Sequence, residues 1–213
     1  MDLNLKDNVV IVTGAAKGIG KGIALALARE GAIAIVVGRN QCDNDSVIKK
    51  IENLGGRGLA LQAELSNPET VKSVIDKVIE RFGKIDAVVN NAGHNDGVGL
   101  IDGSYEGFLS SYHKNVVHYY LMVHHAIQHL IKSKGCILNI SSKTAETGQG
   151  GTSGYAASNG ARNALTREWA VELLPYGIRV NAIVVAECAT PQYDSWIQTL
   201  ANPEEVLKKI TSN

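Results

Sequence analysis

Six short runs of apolar, largely β-branched residues punctuate this chain, and each gap between them carries helical spacing or turn residues. The runs are VVIV (residues 9–12), IAIVV (33–37), GLALQA (58–63), IDAVV (85–89), CILNI (136–140) and RVNAIVV (179–185). Strands with so little polar alternation have to be covered on both faces. Helices are predicted over residues 19–29, 47–54, 108–132 and 158–173. Another opens at Pro68 and carries an apolar stripe of Ile75, Val78 and Ile79. Strand and helix therefore alternate, which predicts an α/β fold: a three-layer, doubly wound parallel sheet. No repeat, low-complexity tract or internal boundary interrupts the 213 residues, so one domain over 1–213 is expected. Residues 202–213 read as a polar helical segment with no strand after it.

Charge and cysteine content narrow the function classes. Lys plus Arg (21) balances Asp plus Glu (21), so no long-range positive field attracts nucleic acid or an anionic membrane surface. There is no apolar run of about 18 residues to span a bilayer, and MDLNLKD lacks a secretion-signal pattern. Cys42, Cys136 and Cys188 are odd in number and far apart, which fits neither a metal site nor a disulfide framework. A cytoplasmic protein with a small-molecule substrate, no nucleic acid and no membrane partner is expected.

The stretch TGAAKGIG (residues 13–20) lies directly between the first strand and the first helix. Gly14, Gly18 and Gly20 permit a tight turn, and the N–H groups at the helix start, around Ile19, can meet a phosphate. Glycine clusters also make plain turns; the position after strand one favours a dinucleotide pyrophosphate. Gly38, Arg39 and Asn40 end the second strand without the carboxylate that commonly binds the ribose hydroxyls of NAD. Arg39, with Lys17 as a second cation, suits a 2′-phosphate, so NADP is expected and NAD is the alternative. The competing reading is that both are solvated surface charges. NNAG (residues 90–93) follows the fourth strand as a turn that presents backbone to a ligand, or as a plain Asn/Gly turn.

Together TGAAKGIG, NNAG, Ser142, Tyr155 and PYGIRVNA (residues 175–182) make the chain resemble the short-chain dehydrogenase/reductase family from about residue 5 to 196. Within it the sequence is most similar to sugar and polyol dehydrogenases of the L-fucose dehydrogenase kind, and more distantly to 3-oxoacyl reductases. The resemblance implies a Rossmann-type sheet, NAD or NADP, and a homo-dimer or homo-tetramer. It also implies cofactor contacts from Glu64 and Leu65 near the adenine, and from Asn90, Asn91, Ala92 and Gly93. Thr190 is expected at the carboxamide. Relatives continue through another helix and a seventh strand, so the resemblance implies a sheet incomplete at the C-terminus.

The same resemblance makes Asn115, Ser142 and Tyr155 catalytic. Tyr155 passes the proton, Ser142 holds the substrate oxygen, and Asn115 anchors a water or a backbone turn in the proton path. Bland roles compete: a packed ring, a cap serine, a polar helix residue. Free tyrosine titrates at about 10, so it needs a nearby cation to work near neutrality. In the family that cation is a lysine four residues on, sharing the tyrosine's helix face and touching the ribose. Here the position is Asn159, which can hydrogen-bond but brings no charge. Lys143 lies on another segment. A slow or inactive enzyme is therefore expected.

Further polar residues bear on the substrate. His94, Asp96 and Glu187 suit a hydroxylated molecule, or are ordinary loop residues. VVAECATP (residues 184–191) replaces the family's Pro-Gly after the sixth strand, and residues 191–200, with Tyr193, Trp196 and Ile197, form either a lid or an internally packed helix. His125 and His129 have metal-clamp spacing but no evident third ligand, so surface or interface histidines are the expectation. The function expected is hydride transfer between a nicotinamide cofactor and a sugar or other secondary alcohol or carbonyl. The alternatives are a catalytically silent nucleotide-binding protein and a 3-oxoacyl reductase-like enzyme.

Overall fold

The computed structural model describes residues 3–198 and 202–211. Six parallel strands form one sheet: β1 (Val9–Thr13), β2 (Ile33–Gly38), β3 (Arg57–Gln62), β4 (Ala87–Asn90), β5 (Cys136–Ser142) and β6 (Arg179–Val185). Their order is β3-β2-β1-β4-β5-β6, so the winding reverses between β1 and β4. The helices are α1 (Gly18–Arg29), α2 (Gln41–Asn53), α3 (Pro68–Phe82), α4 (Tyr105–Tyr112), α5 (His118–Ser133), α6 (Ser153–Glu172), α7 (Pro191–Ile197) and α8 (Pro203–Thr211).

Alternation along the central strands divides the core into two layers. Val9 and Ile11 of β1, with Ile33, Ile35 and Val37 of β2, face α3, α5 and α6 through Val71, Val78, Met122, Leu130 and Trp169. Val10, Val12, Ala34 and Val36 point the other way, toward Ala24 and Ala28 of α1 and Val47 and Ile51 of α2. The small alanines let α1 sit close against the sheet. This is the three-layer, doubly wound arrangement that the sequence predicts. Burial on both faces holds for β1, β2 and β4 but not for the edge strand β6, where Ile183 is 49% and Val184 45% exposed.

Several boundaries differ from the sequence reading for local reasons. α2 starts at Gln41, not 47, because the Asn40 side chain accepts a hydrogen bond from Asp43 N at 3.0 Å and caps a polar first turn. α6 starts at Ser153, not 158, which puts Tyr155 in its first turn. β5 runs through Ser142, which is therefore the last strand residue rather than one past it. The long helix expected over residues 108–132 is interrupted. α4 and α5 are joined by a π-helical turn, His113–Val117, with Asn115 buried inside it. Pro68 opens α3 as expected, behind an Asn67 cap, and Gly83 closes it at φ 71°. Among the described residues the chain after β6 is helical, and no strand follows β6. Leu200 of the expected lid lies outside the described residues, as does the Trp196 side chain.

The π-helical turn creates a buried histidine. Nε2 of His118 donates to Lys114 O at 3.0 Å. Burial, aided by the nearby Arg162 charge, lowers its pKa from 6.5 to about 3, so the ring stays neutral in the fold. The unfolded chain takes up that proton at higher pH than the folded one. Stability from this group is thus complete above pH 6.5 and falls as pH drops from there toward about 3.

Two measurements test this account of the core. Ile35→Ala, at a fully buried site, is expected to lower unfolding free energy by about 2–5 kcal/mol in denaturant titrations. Acidification below pH 6.5 is expected to steepen the loss of stability by up to about 1.4 kcal/mol per pH unit. His118→Gln should flatten that slope; an unchanged slope would show that other groups control acid unfolding.

Candidate active site at the carboxyl edge of the sheet

The carboxyl ends of β1 and β4 are stitched together by side chain to backbone bonds. Thr13 Oγ1 accepts from Asn91 N at 2.9 Å and Ala92 N at 3.1 Å, and donates to Val89 O at 3.4 Å. The Asn91 amide returns the contact, donating to Thr13 O at 2.8 Å and Gly14 O at 3.3 Å. This lacing explains the glycines. A Cβ on Gly20 would stand 2.5 Å from both Asn91 Nδ2 and Gly14 O, and one on Gly14 (φ 64°) 2.9 Å from Ala92 Cα. Both are needed so that one loop can lie on the other. Asn90 turns its amide the other way, donating to Asn139 Oδ1 at 3.0 Å beneath the site.

The residues around this turn can receive a dinucleotide. α1 begins at Gly18 with no side-chain cap, and the N–H groups of Gly18, Ile19 and Gly20 have no hydrogen-bond partner among the described residues. An uncapped helix start behind such a turn fits a pyrophosphate. Thr190 leans over it, its Cβ and Cγ2 each 3.5 Å from where a Gly18 Cβ would be. At the end of β2, Arg39 is exposed and makes no ion pair among the described residues. Lys17 is exposed too and meets Asp43 at 2.9 Å, a surface pairing too weak to hold it there. Glu64 is exposed, with its carboxylate accepting from Ser66 Oγ at 3.1 Å, whereas the Leu65 side chain is buried in the core.

The residues expected to do chemistry lie along the same edge. Ser142 Oγ accepts from Thr144 N at 3.3 Å and Thr144 Oγ1 at 3.1 Å, which fixes its position and leaves its own O–H to donate. Tyr155 is half-buried in the first turn of α6. Asn159 is fully buried: its Nδ2 donates to the Tyr155 backbone carbonyl at 2.8 Å, and its own backbone carbonyl accepts from Ser141 Oγ at 3.4 Å. Asn115 pins the chain after the NNAG turn, accepting from His94 N at 2.8 Å while Nδ2 donates to His94 O at 3.0 Å and Ser111 O at 2.9 Å.

What links these groups is a residue absent from the sequence reading, Arg162. Its guanidinium donates to Asn115 O at 2.8 Å, Asn159 Oδ1 at 2.9 Å and Ile140 O at 3.1 Å. It also reaches Asn115 Oδ1 at 3.3 Å and Ala92 O at 3.5 Å. Gly93 makes room for it, since a Cβ there would stand 2.6 Å from Arg162 Nη2. The last glycine of NNAG therefore clears space for a side chain of this protein. The available signal was a charged residue one turn beyond Asn159 on the same helix face.

Lys143 takes no part in this group. It pairs with Glu187 beyond β6. Burial opposes ionisation of Glu187, but Lys143 and a hydrogen bond from Tyr193 hold its carboxyl below the usual range. Burial first, and then the Glu187 carboxylate, push Tyr193 up to about 12. Asp96 is anchored as well, accepting from Ser111 Oγ at 2.8 Å. His125 and His129 acquire no third ligand, since no metal-holding group of three or more His, Cys, Asp or Glu occurs among the described residues. No helix among the described residues is long and apolar enough to cross a membrane.

Comparison with known proteins agrees with this geometry. The chain is 33% identical over 190 residues to the 3-oxoacyl-(acyl-carrier-protein) reductase FabG of Thermotoga maritima, covering 89% of this chain and 77% of that protein. It is 31% identical over 204 residues to the L-fucose dehydrogenase of Bos taurus, covering 95% and 74%. These near-equal identities favour neither substrate class. The solved structure of Cj0485 dehydrogenase superposes with a TM-score of 0.93 at 41% identity, over 99% of this chain and 80% of that one. The family model for short chain dehydrogenases matches residues 8–200. With its reversal of winding, laced glycine turn and Ser142–Tyr155 edge, the chain belongs to the short chain dehydrogenase family.

Proposed function

We infer that this chain is an oxidoreductase that uses NADP to interconvert a sugar or other secondary alcohol and its carbonyl, with NAD as the alternative cofactor. One observation carries the reading. Ser142 at the end of β5 and Tyr155 in the first turn of α6 stand on the same sheet edge as the uncapped start of α1. When bound, the nicotinamide accepts or supplies the hydride. Ser142 donates a hydrogen bond to the substrate oxygen, and Tyr155 takes up or returns that oxygen's proton. Asn115 holds the backbone at His94, beside the cleft. Arg39 and Lys17 form the rim that receives a 2′-phosphate.

A hydroxylated substrate of the L-fucose kind is supported by the polar side chains Asp96, held by Ser111, and Glu187, paired with Lys143. Self-association into a homo-dimer or homo-tetramer is supported by exposed apolar side chains such as Leu100 at 88%, Ile101 at 93% and Tyr105 at 73%. Asn159 favours a second reading, a nucleotide-binding protein without turnover, because asparagine adds no charge beside Tyr155.

The two readings separate in one assay. Reduced-cofactor absorbance followed with NADP and NAD against a panel of sugars, polyols and secondary alcohols is expected to show turnover. Tyr155→Phe is expected to remove about 100-fold or more of it while cofactor binding persists. Tight cofactor binding with no turnover on any substrate would favour the silent protein. Arg39→Ala is expected to weaken NADP by about 10-fold and to leave NAD nearly unchanged; equal effects on both would show that Arg39 does not bind a 2′-phosphate.

A further inference from the structure

A cation stands inside this site with no counter-ion among the described residues. Arg162 is 2% exposed and makes no ion pair among the described residues. A guanidinium remains charged throughout the pH range of a folded protein. Its partners are neutral: three backbone carbonyls, two asparagine side chains and the ring of Tyr119, whose centroid is 4.3 Å away. They satisfy its N–H groups without cancelling its charge. Burying an unneutralised charge is costly, so the fold keeps Arg162 against a standing penalty. Its field reaches the neighbouring Tyr119, which also feels Tyr155. Lys143, at the end of β5, pairs with Glu187 at the surface.

On the oxidoreductase reading above, we propose that Arg162 is the charged positioning residue of this active site. From its place against Asn159 and Asn115 it supplies the positive potential that stabilises negative charge on the Tyr155 oxygen during proton transfer. A lysine at position 159 would combine two duties, a hydrogen bond and a charge. Here the Asn159 amide is taken up by the Tyr155 backbone carbonyl and by Arg162 itself, and Arg162, three residues on, carries the charge. In the oxidising direction the substrate hydroxyl proton passes to the Tyr155 oxygen and the hydride leaves for the cofactor. Reduction runs both in reverse. Arg162 neither gains nor loses a proton in either direction. The Asn159 substitution thus relocates the cation within the helix and does not delete it.

The test moves the charge. The unaltered chain, Arg162→Gln, Arg162→Lys, Asn159→Lys and the double variant Asn159→Lys/Arg162→Gln are compared for melting temperature, affinity for the reduced cofactor, kcat and KM. Arg162→Gln is expected to lower kcat by about 10- to 100-fold, with cofactor affinity changing by no more than about 3-fold. Arg162→Lys should retain part of the rate, and the double variant most of it. Asn159→Lys alone should place two cations side by side, lower the melting temperature and bring no gain in kcat. If Arg162→Gln does not fold, Arg162→Lys and the double variant still decide the matter.

Turnover that survives Arg162→Gln overturns this inference alone. So does a double variant that regains melting temperature but not kcat, or a gain of about 10-fold from Asn159→Lys by itself. No turnover by the unaltered chain on any substrate overturns the enzyme reading and this inference with it.

Discussion

The hydroxyl of Thr13 holds together the two loops on which the whole site is built. β1 and β4 are neighbours at the point where the winding changes direction, so the chain leaves them toward opposite faces and a crevice opens between. Left alone, the two departing loops would each need other partners for their polar backbone. Thr13 accepts two N–H groups from the far loop, and the Asn91 amide donates twice in return. The crevice thereby gains a floor of fixed depth, and the start of α1 is held at its lip. The glycine spacing follows from that contact, since any side chain on Gly14 or Gly20 would force the loops apart.

Beneath that floor the interior is polar where a parallel sheet is ordinarily apolar. Asn90 donates to Asn139, Asn139 to Thr166, and Thr166 to the carbonyl of Arg162. The Tyr119 hydroxyl donates to Ile140 O at 2.9 Å. β4, β5, α5 and α6 are thus joined by a chain of hydrogen bonds into one platform, with Asn90 Oδ1 at its head left without a partner among the described residues. The carbonyls that Arg162 caps sit at the upper end of this platform.

The sequence displayed the parts of this molecule whose signals are local. Apolar runs announced the strands, Pro68 announced the start of α3, and the glycine turn announced the nucleotide crevice. Ser142 and Tyr155 were visible through the family's motifs. Other features depended on tertiary partners. The first turn of α6 was hidden in a glycine- and serine-rich stretch that reads as loop. Lys143 finds Glu187 only because β5 and β6 pair, 44 residues apart along the chain. Arg162 lies outside the tyrosine-to-lysine spacing of the family motif, which points to Asn159. Helical spacing puts Arg162 on the Asn159 face, but the burial of its guanidinium depends on carbonyls from other segments.

The π-helical turn at His113–Val117 sets the angular phase of everything after it. An α-helix advances about 100° per residue, so one extra residue in a turn rotates the following helix by about that angle relative to the preceding one. With the turn in place, Ser111 of α4 meets Asp96 while Met122, Ala126 and Leu130 of α5 enter the core. A regular helix through this stretch would satisfy one of these faces and turn the other toward solvent. The length of residues 113–117 is therefore as constrained as their identity. A lineage could replace many side chains there more readily than it could gain or lose a single residue.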